Sequence, residues 1–286
     1  MHLDLVPAAP VHANELGRIC YEAFKDVSDA HGFRTSFASA GIARGLLSLM
    51  IERSEFYGVA ALLDGDLVGS NFLSIMDEVA GIGPITVEVP HQGRGIGRAL
   101  MEDVMQYATA HNIARVRLFQ EAFNMASLSL YASLGFQVRD AAAVLEARPA
   151  DHPDVSVRQA CADDLDSIEA LGRKIYKVGR RHEVGLTIEL GFGTLVRERR
   201  DRIVGYFTPG LFGHGVAETE EDAVALVGDA ARRSSAGDSR FFCPLSQSGL
   251  YRRLLQSGCR TLEVMNMMTL GPYDPPDATW LPSVLY

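Results

Sequence analysis

The chain has 286 residues, of which 47% are hydrophobic and 22% charged, and its formal net charge is −9. This length exceeds that of a usual single domain, so one large or two modest domains are expected. The acidic balance argues against a general nucleic-acid surface, which needs a basic stripe, and favours a cationic partner. No apolar run approaches membrane-spanning length, and the acidic, weakly apolar start does not resemble a signal peptide.

The cysteines and histidines predict neither a disulfide framework nor a metal site. The four cysteines are widely spaced, and no Cys-x-x-Cys pair occurs. The eight histidines show no spacing typical of metal ligands. A reduced, cytoplasmic protein without a metal cofactor is therefore expected.

The first half predicts strands that alternate with helices. A short strand and a turn at Pro10 precede an amphipathic helix, and a hairpin of two strands turns at Asp64-Gly65. Residues 81–89 follow as a third strand, and a glycine loop leads to a helix from Ile96. A further strand and helix follow, and Gly135 is the expected helix stop.

The second half repeats this order in reduced form. A strand over residues 155–158 leads to acidic residues and a helix with an apolar stripe, which matches the start of the chain. Near the other end, "RLLQSGC" parallels "LYASLGF" and aligns Gly258 with Gly135. The junction "EARPADHPDVS" is the predicted linker. We therefore expect the α/β class, with mixed sheets flanked by helices in two tandem copies.

The stretch "VEVPHQGRGIGRAL" places three glycines on alternate positions between a strand and a helix. It matches neither the GxxxxGK[ST] phosphate loop nor the GxGxxG dinucleotide fingerprint. Successive backbone N–H groups at a helix N-terminus can still bind a pyrophosphate, and glycines let that backbone come close. Arg94 or Arg98 would add a charge-assisted contact. The alternative is a structural turn that is merely rich in glycine.

Two motifs together resemble the Gcn5-related N-acetyltransferase superfamily. The first is Val87-x-x-x-x-Gln92-Gly93-x-Gly95-x-Gly97, and the second is Asn124-x-x-Ser127-x-x-Leu130-Tyr131-x-x-x-Gly135-Phe136. The resemblance covers about the first half of the chain. One departure is visible, because the family usually has proline two residues after the valine, where this chain has Val89 followed by Pro90.

The resemblance implies acetyl-CoA as cosubstrate and a role for each matching residue. Val87 and Val89 would offer backbone groups to the pantetheine arm, and Asn124 would contact the pantetheine or the thioester. Tyr131 would protonate the departing thiolate, which suits a phenol that stays neutral at working pH. The pyrophosphate would bind the loop residues Gln92, Gly93, Arg94, Gly95, Ile96 and Gly97.

A general base must also take a proton from the acceptor ammonium before its nitrogen attacks. Glu121 is the first choice, because it ends the strand that precedes Asn124. Glu88 on the cofactor strand, and Asp77 and Glu78 in the preceding loop, are the alternatives.

The second copy is expected to bind no acetyl-CoA. Four carboxylates replace the glycine loop and would repel a pyrophosphate, namely Glu218, Glu220, Glu221 and Asp222. Leu254 stands where Tyr131 stands in the first copy. The predicted division is therefore a catalytic domain at residues 1–149 and a degenerate copy at residues 155–286. Trp280 and Tyr286 are expected to pack in the core or to line the acceptor site.

The favoured interpretation is an N-acetyltransferase in which an amine attacks bound acetyl-CoA directly. The alternatives are an acyl-CoA sensor without turnover and an inactive structural tandem. A small-molecule amine is the expected acceptor, with a protein amine as the other choice. We expect no nucleic-acid or membrane partner, and a homodimer remains open.

Overall fold

The computed structural model describes residues 2–234 and 239–285. Its helices are α1 Ala13–His31, α2 Ala40–Glu52, α3 Ile96–Ala110, α4 Met125–Ser133, α5 Leu165–Tyr176, α6 Arg181–Glu189, α7 Glu220–Arg233 and α8 Ser248–Gln256. The strands of the first half are β1 Leu3–Pro7, β2 Phe56–Leu63, β3 Asp66–Ser74, β4 Ala80–Ile82, β5 Thr86–Val87, β6 Val116–Glu121 and β7 Gln137–Glu146. Those of the second half are β8 Val157–Gln159, β9 Leu195–Glu198, β10 Ile203–Phe207, β11 Gly215–Ala217, β12 Arg240–Pro244, β13 Arg260–Leu270 and β14 Thr279–Leu281.

The strands form one mixed sheet and one antiparallel sheet, with helices packed against them. One sheet has the order β1-β2-β3-β4-β6-β13-β7-β12, with β5 paired to β3, and the other has the order β14-β11-β10-β9-β8. The element order of the first half recurs in the second, where β8, α5, α6, the strands β9 to β11, α7, β12, α8 and β13 follow one another. The fold is therefore α/β with two tandem acetyltransferase-like units, as the sequence predicted.

The larger sheet joins the two halves of the chain through exchanged strands. Strand β13 of the second half lies between β6 and β7 of the first, with Met265 opposite both Glu121 and Ala142. Strand β12 pairs with β7 as well, with Arg240 opposite Glu146. Backbone pairing therefore crosses the linker, and the division at residues 149 and 155 follows the sequence duplication rather than a gap in the sheet.

The first-half elements follow from their residue patterns. Helix α1 buries the predicted stripe of Leu16, Ile19 and Cys20, because residues three and four apart share one helix face. The hairpin of β2 and β3 turns at Asp64 and Gly65, whose φ angles are 50° and 99°, as a two-residue hairpin turn requires. Both predictions are confirmed.

The single strand predicted over residues 81–89 is wrong. The structure has two short strands there, β4 and β5, because the extended conformation is interrupted at Gly83 and Pro84. Gly83 has a φ of 135°, and proline cannot donate a hydrogen bond to a strand ladder. As a result, β4 pairs with β6, whereas β5 pairs with β3.

The two halves also share a buried core. Trp280 and Leu285 near the end of the chain are buried in one cluster with Leu16 and Phe72 of the first half. Arg117 on β6 donates to the hydroxyl of Tyr176 at 2.6 Å. Trp280 is thus a core residue, whereas Tyr286 lies outside the described residues. Within the described ranges, every helix is too short or too polar to cross a bilayer.

Candidate acyl-CoA and acceptor site

The glycine loop presents free backbone donors at the start of α3. Gly93 and Gly95 have φ angles of 73° and 87°, which side chains rarely tolerate. Gly95 is the N-cap of α3 and provides no side-chain cap, so the first N–H groups of the helix stay open to an anion. Arg94 is exposed beside them. The loop therefore has the donors and the charge that a pyrophosphate needs.

Next to this loop, two strands separate and open a cleft in the sheet. Strand β4 pairs in parallel with β6, while β5 turns away and pairs with β3. A Cβ at Gly97 would lie 3.8 Å from Val87, so α3 begins directly beside the opening. The Gln92 side chain donates to the Val87 carbonyl at 3.0 Å. Both residues of β5, Thr86 and Val87, line the cleft.

The cleft has a volume of about 1940 Å³ and gathers several of the predicted site residues. Those that line it are Val87, Gln92, Glu121, Asn124 and Tyr131. The remaining loop residues, Gly93 to Gly97, follow Gln92 and are not part of the lining. Val89 begins a 3-10 helix at Val89–His91 that also contains Pro90, and it does not line the cleft.

Tyr131 is the one residue of α4 that is buried, with 6% of its surface exposed. Burial and the neighbouring Glu121 raise the pKa of its phenol, so the group is protonated at neutral pH. Among residues 2–234 and 239–285, its hydroxyl has no hydrogen-bond partner. A hydroxyl with a proton to give therefore belongs to a residue that lines the cleft.

Glu121 ends β6 on the same cleft and is also only 6% exposed. Burial, helped by the nearby Glu263 carboxylate, raises its pKa to about 7. The Ser36 hydroxyl donates to it at 3.3 Å and opposes part of that shift. A carboxyl group that titrates near neutrality suits a general base.

The alternative bases are held in ion pairs or helix caps. Glu88 contacts Arg18 at 2.6 Å and His91 at 3.1 Å. Glu78 pairs with Arg173 at 2.5 Å. Asp77 accepts the backbone N–H groups of residues 182 and 183 at the start of α6. None of these three carboxylates lines the cleft. Glu78 and Asp77 link the two halves, whereas Glu88 is paired within the first half.

Asn124 caps α4 by accepting the Ser127 N–H at 3.1 Å. Since its oxygen is used in the cap, the amide nitrogen is the group left for a ligand. Gln120 donates to the Asn124 carbonyl at 2.7 Å and receives a bond from Asn266 of β13 at 2.9 Å. The second half thus fixes the turn that carries Asn124.

The sequence analysis missed several groups that line the cleft. Ser36, Phe33 and Phe123 lie on connecting segments, and Arg240 and Glu263 lie on strands of the second half. A glutamate within the largely apolar stretch "TLEVMNMM" was a sequence signal for Glu263. The other four residues had no comparable signal in their local sequence.

In the second copy, the corresponding opening is filled by the chain itself. Strand β14 pairs with β11, which precedes α7 as β5 precedes α3. Gln247, which aligns with Asn124, binds the backbone of Trp280 through both amide atoms, at 2.7 Å and 3.1 Å. A peptide strand therefore occupies the place that corresponds to the open cleft of the first copy.

The carboxylates at α7 are neutralised by arginines of this chain. Arg202 donates to Glu218 at 2.6 Å and 2.8 Å. Asp222 is held by Arg197 at 3.0 Å, and Glu220 by Arg253 at 2.8 Å. The fourth, Glu221, is exposed. Leu254, in place of the tyrosine, is fully buried. The second copy offers neither an anion site nor a proton donor at these positions.

A family model matches part of the first half of the chain. Residues 20–136 match the model of the acetyltransferase (GNAT) family. The match spans less than half of the chain, and it includes both motifs that resemble the Gcn5-related N-acetyltransferase superfamily.

Particular relatives are similar over shorter stretches. The streptothricin acetyltransferase of Escherichia coli is 34% identical over 86 residues, which are 30% of this chain and 48% of that protein. The mycothiol acetyltransferase of Tsukamurella paurometabola is 34% identical over 76 residues, 26% of each chain. The matched stretch thus spans about half of the first relative and about a quarter of the second.

Solved structures match almost the whole chain. A Pyrococcus horikoshii protein described as an acetyltransferase has a TM-score of 0.81 at 14% identity, covering 99% of this chain and 94% of that one. A tandem GNAT protein from the clavulanic acid biosynthesis pathway has a TM-score of 0.60 at 13% identity, covering 96% and 100%. At these identities the likeness concerns the fold, and it extends through both halves.

Proposed function

We propose that this protein is an acetyl-CoA-dependent N-acetyltransferase whose single active site is the first-half cleft. The observation that carries the proposal is the convergence of three features on one cleft. Open amides stand at the start of α3, a protonated tyrosine lines the wall, and a carboxyl group with a pKa of about 7 lies beside it. A sensor without turnover would need only the first of these.

In the proposed reaction, acetyl-CoA supplies an acetyl group that is activated as a thioester. The loop amides and the backbone of β5 hold it, so the reaction gains from proximity and from polarisation of the carbonyl. Glu121 accepts a proton from the acceptor ammonium, directly or through water. The amine nitrogen then bonds to the carbonyl carbon as the carbon–sulfur bond breaks, and Tyr131 gives its proton to the leaving thiolate. The nitrogen loses its extra proton to water, and Tyr131 regains a proton from water.

The proposal is tested by an acetylation assay with primary amines, in which the release of the CoA thiol is measured. Two of the matched relatives are named as streptothricin acetyltransferase and mycothiol acetyltransferase. These names support a first set of test acceptors made of small-molecule amines. Saturable acetyl-CoA binding with amine-dependent thiol release supports the transferase. Binding without any turnover would favour the sensor, and no binding would contradict both.

Activity should fall as the pH drops through about 7, since Glu121 is then protonated and cannot accept a proton. The groups that face it are Glu263 on β13, Ser36 before α2 and Tyr131 on α4. Glu121→Gln should lower kcat by about 100-fold and remove this acid limb from the pH profile. The profile of kcat/KM between pH 5.5 and 9, measured on both proteins, checks this expectation. An unchanged acid limb in the variant would assign it to another group.

Calorimetry should find one acetyl-CoA bound per chain, because β14 fills the corresponding opening of the second copy. Asn124→Ala should weaken this binding, since Asn124 lines the open cleft. Gln247→Ala is the matched control at the aligned position, and it should leave the affinity unchanged. Two bound ligands per chain, or equal losses in the two variants, would contradict a single site.

A further inference from the structure

The cleft contains two carboxylates that come from different halves of the chain. We propose that Glu263 of β13, together with Glu121 of β6, binds the ammonium group of the acceptor, which is therefore an aliphatic primary amine that carries a positive charge before it reacts. This inference rests on the proposed function and specifies its acceptor. It also gives the second half a direct part in the active site.

Strand register places the two carboxylates on one wall. Met265 lies directly opposite Glu121, and Glu263 precedes Met265 by two residues on the same strand. Directly opposed residues share a face of an antiparallel pair, and so do alternate residues along one strand. Glu121, Glu263 and Met265 all line the cleft. The exchange of β13 into the first sheet therefore brings Glu263 to the cleft.

Burial and a neighbouring carboxylate both disfavour the negative charge of Glu121. Burial is the larger cause of the raised pKa of Glu121, and the Glu263 carboxylate raises it further. Burial also raises the pKa of Glu263. Arg240 offsets part of the effect on Glu263, and its guanidinium also donates to the Ser36 carbonyl at 3.1 Å. An ammonium group has three donors, so a single one can serve both carboxylates and relieve their repulsion.

Tyr131 provides a second observation that points to a ligand here. Its side chain is more than nine-tenths buried, lines the same cleft and has no hydrogen-bond partner among the described residues. Glu121 contributes to the raised pKa of Tyr131, and Tyr131, Glu121 and Glu263 all line the same cleft. A ligand held by Glu121 and Glu263 would therefore present its nitrogen to the reacting end of the cleft.

Part of the cleft lining is aromatic. Phe33 stacks on Phe123 with ring centroids 4.4 Å apart, and both residues line the cleft. Such a surface suits the carbon skeleton of an amine rather than a highly charged chain. The proposed acceptor thus joins one cationic nitrogen to an apolar body.

The experiment is a calorimetric titration of benzylamine into the full-length protein saturated with CoA, at pH 7.5. Benzyl alcohol serves as the uncharged analogue of the same shape. The proteins are the wild type, Glu263→Gln and Glu52→Gln, a matched control because Glu52 is an exposed carboxylate outside the cleft. Glu263→Gln should weaken benzylamine binding by about 10- to 100-fold, the range for a lost hydrogen bond to a charged group. Glu52→Gln should bind as the wild type does, and benzyl alcohol should bind weakly to all three.

The same variants separate binding from chemistry in the acetylation assay. Glu263→Gln should raise KM for benzylamine by a similar factor and keep kcat within about threefold, while Glu263→Asp should recover part of the loss. Equal benzylamine affinity in the wild type and Glu263→Gln would overturn the inference, as would equal affinity for the alcohol or no benzylamine binding at all. If CoA itself fails to bind, the proposed function fails first, so the two failures are distinguishable.

Discussion

Tyr131→Phe should lower kcat by about 100- to 10,000-fold, the usual contribution of a positioned general acid. The phenylalanine keeps the ring that fills the space beside Phe136, but it has no proton to give to the thiolate. Since the pKa of Tyr131 is raised by its surroundings, the phenol is fully protonated throughout the working pH range. Thiol release under saturating acetyl-CoA and amine measures the effect, and the acetyl-CoA dissociation constant should stay within about twofold.

The control for this variant is Tyr251→Phe on α8, the helix of the second copy that corresponds to α4. The Tyr251 hydroxyl bonds Thr261 at 2.9 Å near the surface, so its loss should leave kcat unchanged. A Tyr131→Phe variant that retains wild-type kcat would show that the thiolate leaves without this acid. The proposed mechanism would then need another donor.

Gly95→Glu should weaken acetyl-CoA binding by more than about 100-fold. Gly95 has a φ of 87°, and a side chain in that conformation costs about 1–2 kcal/mol. The new carboxylate would also lie at the N-terminus of α3, where it would compete with the pyrophosphate for the same open N–H groups. Calorimetric titration of acetyl-CoA into both proteins measures the change.

Gly65→Glu is the strain-matched control, because Gly65 has a φ of 99° in the β2–β3 hairpin and open space around it. It should lower the melting temperature without changing acetyl-CoA affinity. Gly95→Ala separates the two causes further, since it adds strain without charge and should weaken binding less than the glutamate does. If Gly95→Glu binds acetyl-CoA as tightly as the wild type does, the pyrophosphate does not bind to this loop.

Much of the first half was predictable because its signals are local. The hairpin at Asp64-Gly65 and the stripe of α1 each depend on a few neighbouring residues, and both are confirmed. The break at Gly83 and Pro84 was missed, because the apolar run of residues 81–89 continues across it and alternation alone does not show where a strand changes partner. The roles of Tyr131 and the glycine loop come from motif spacing, and they stay predictions until the variants are measured.

The acceptor side of the cleft shows the opposite situation. Glu263 lies beside Glu121 only because β13 inserts between β6 and β7. The residue pattern of a strand does not show which strand it will pair with. The same holds for β14, whose apolar residues predicted burial but not the opening that they fill.

By itself, the sequence indicated the resemblance to the superfamily, the duplication, the intact first loop and the missing tyrosine of the second copy, since contiguous motifs carry all four. Only the tertiary structure decided which carboxylates share the cleft and what closes the second opening. Both depend on strand pairing between residues more than 50 positions apart, for example Glu121 with Met265 and Val216 with Trp280. Pairing at that separation depends on the packing of the whole sheet.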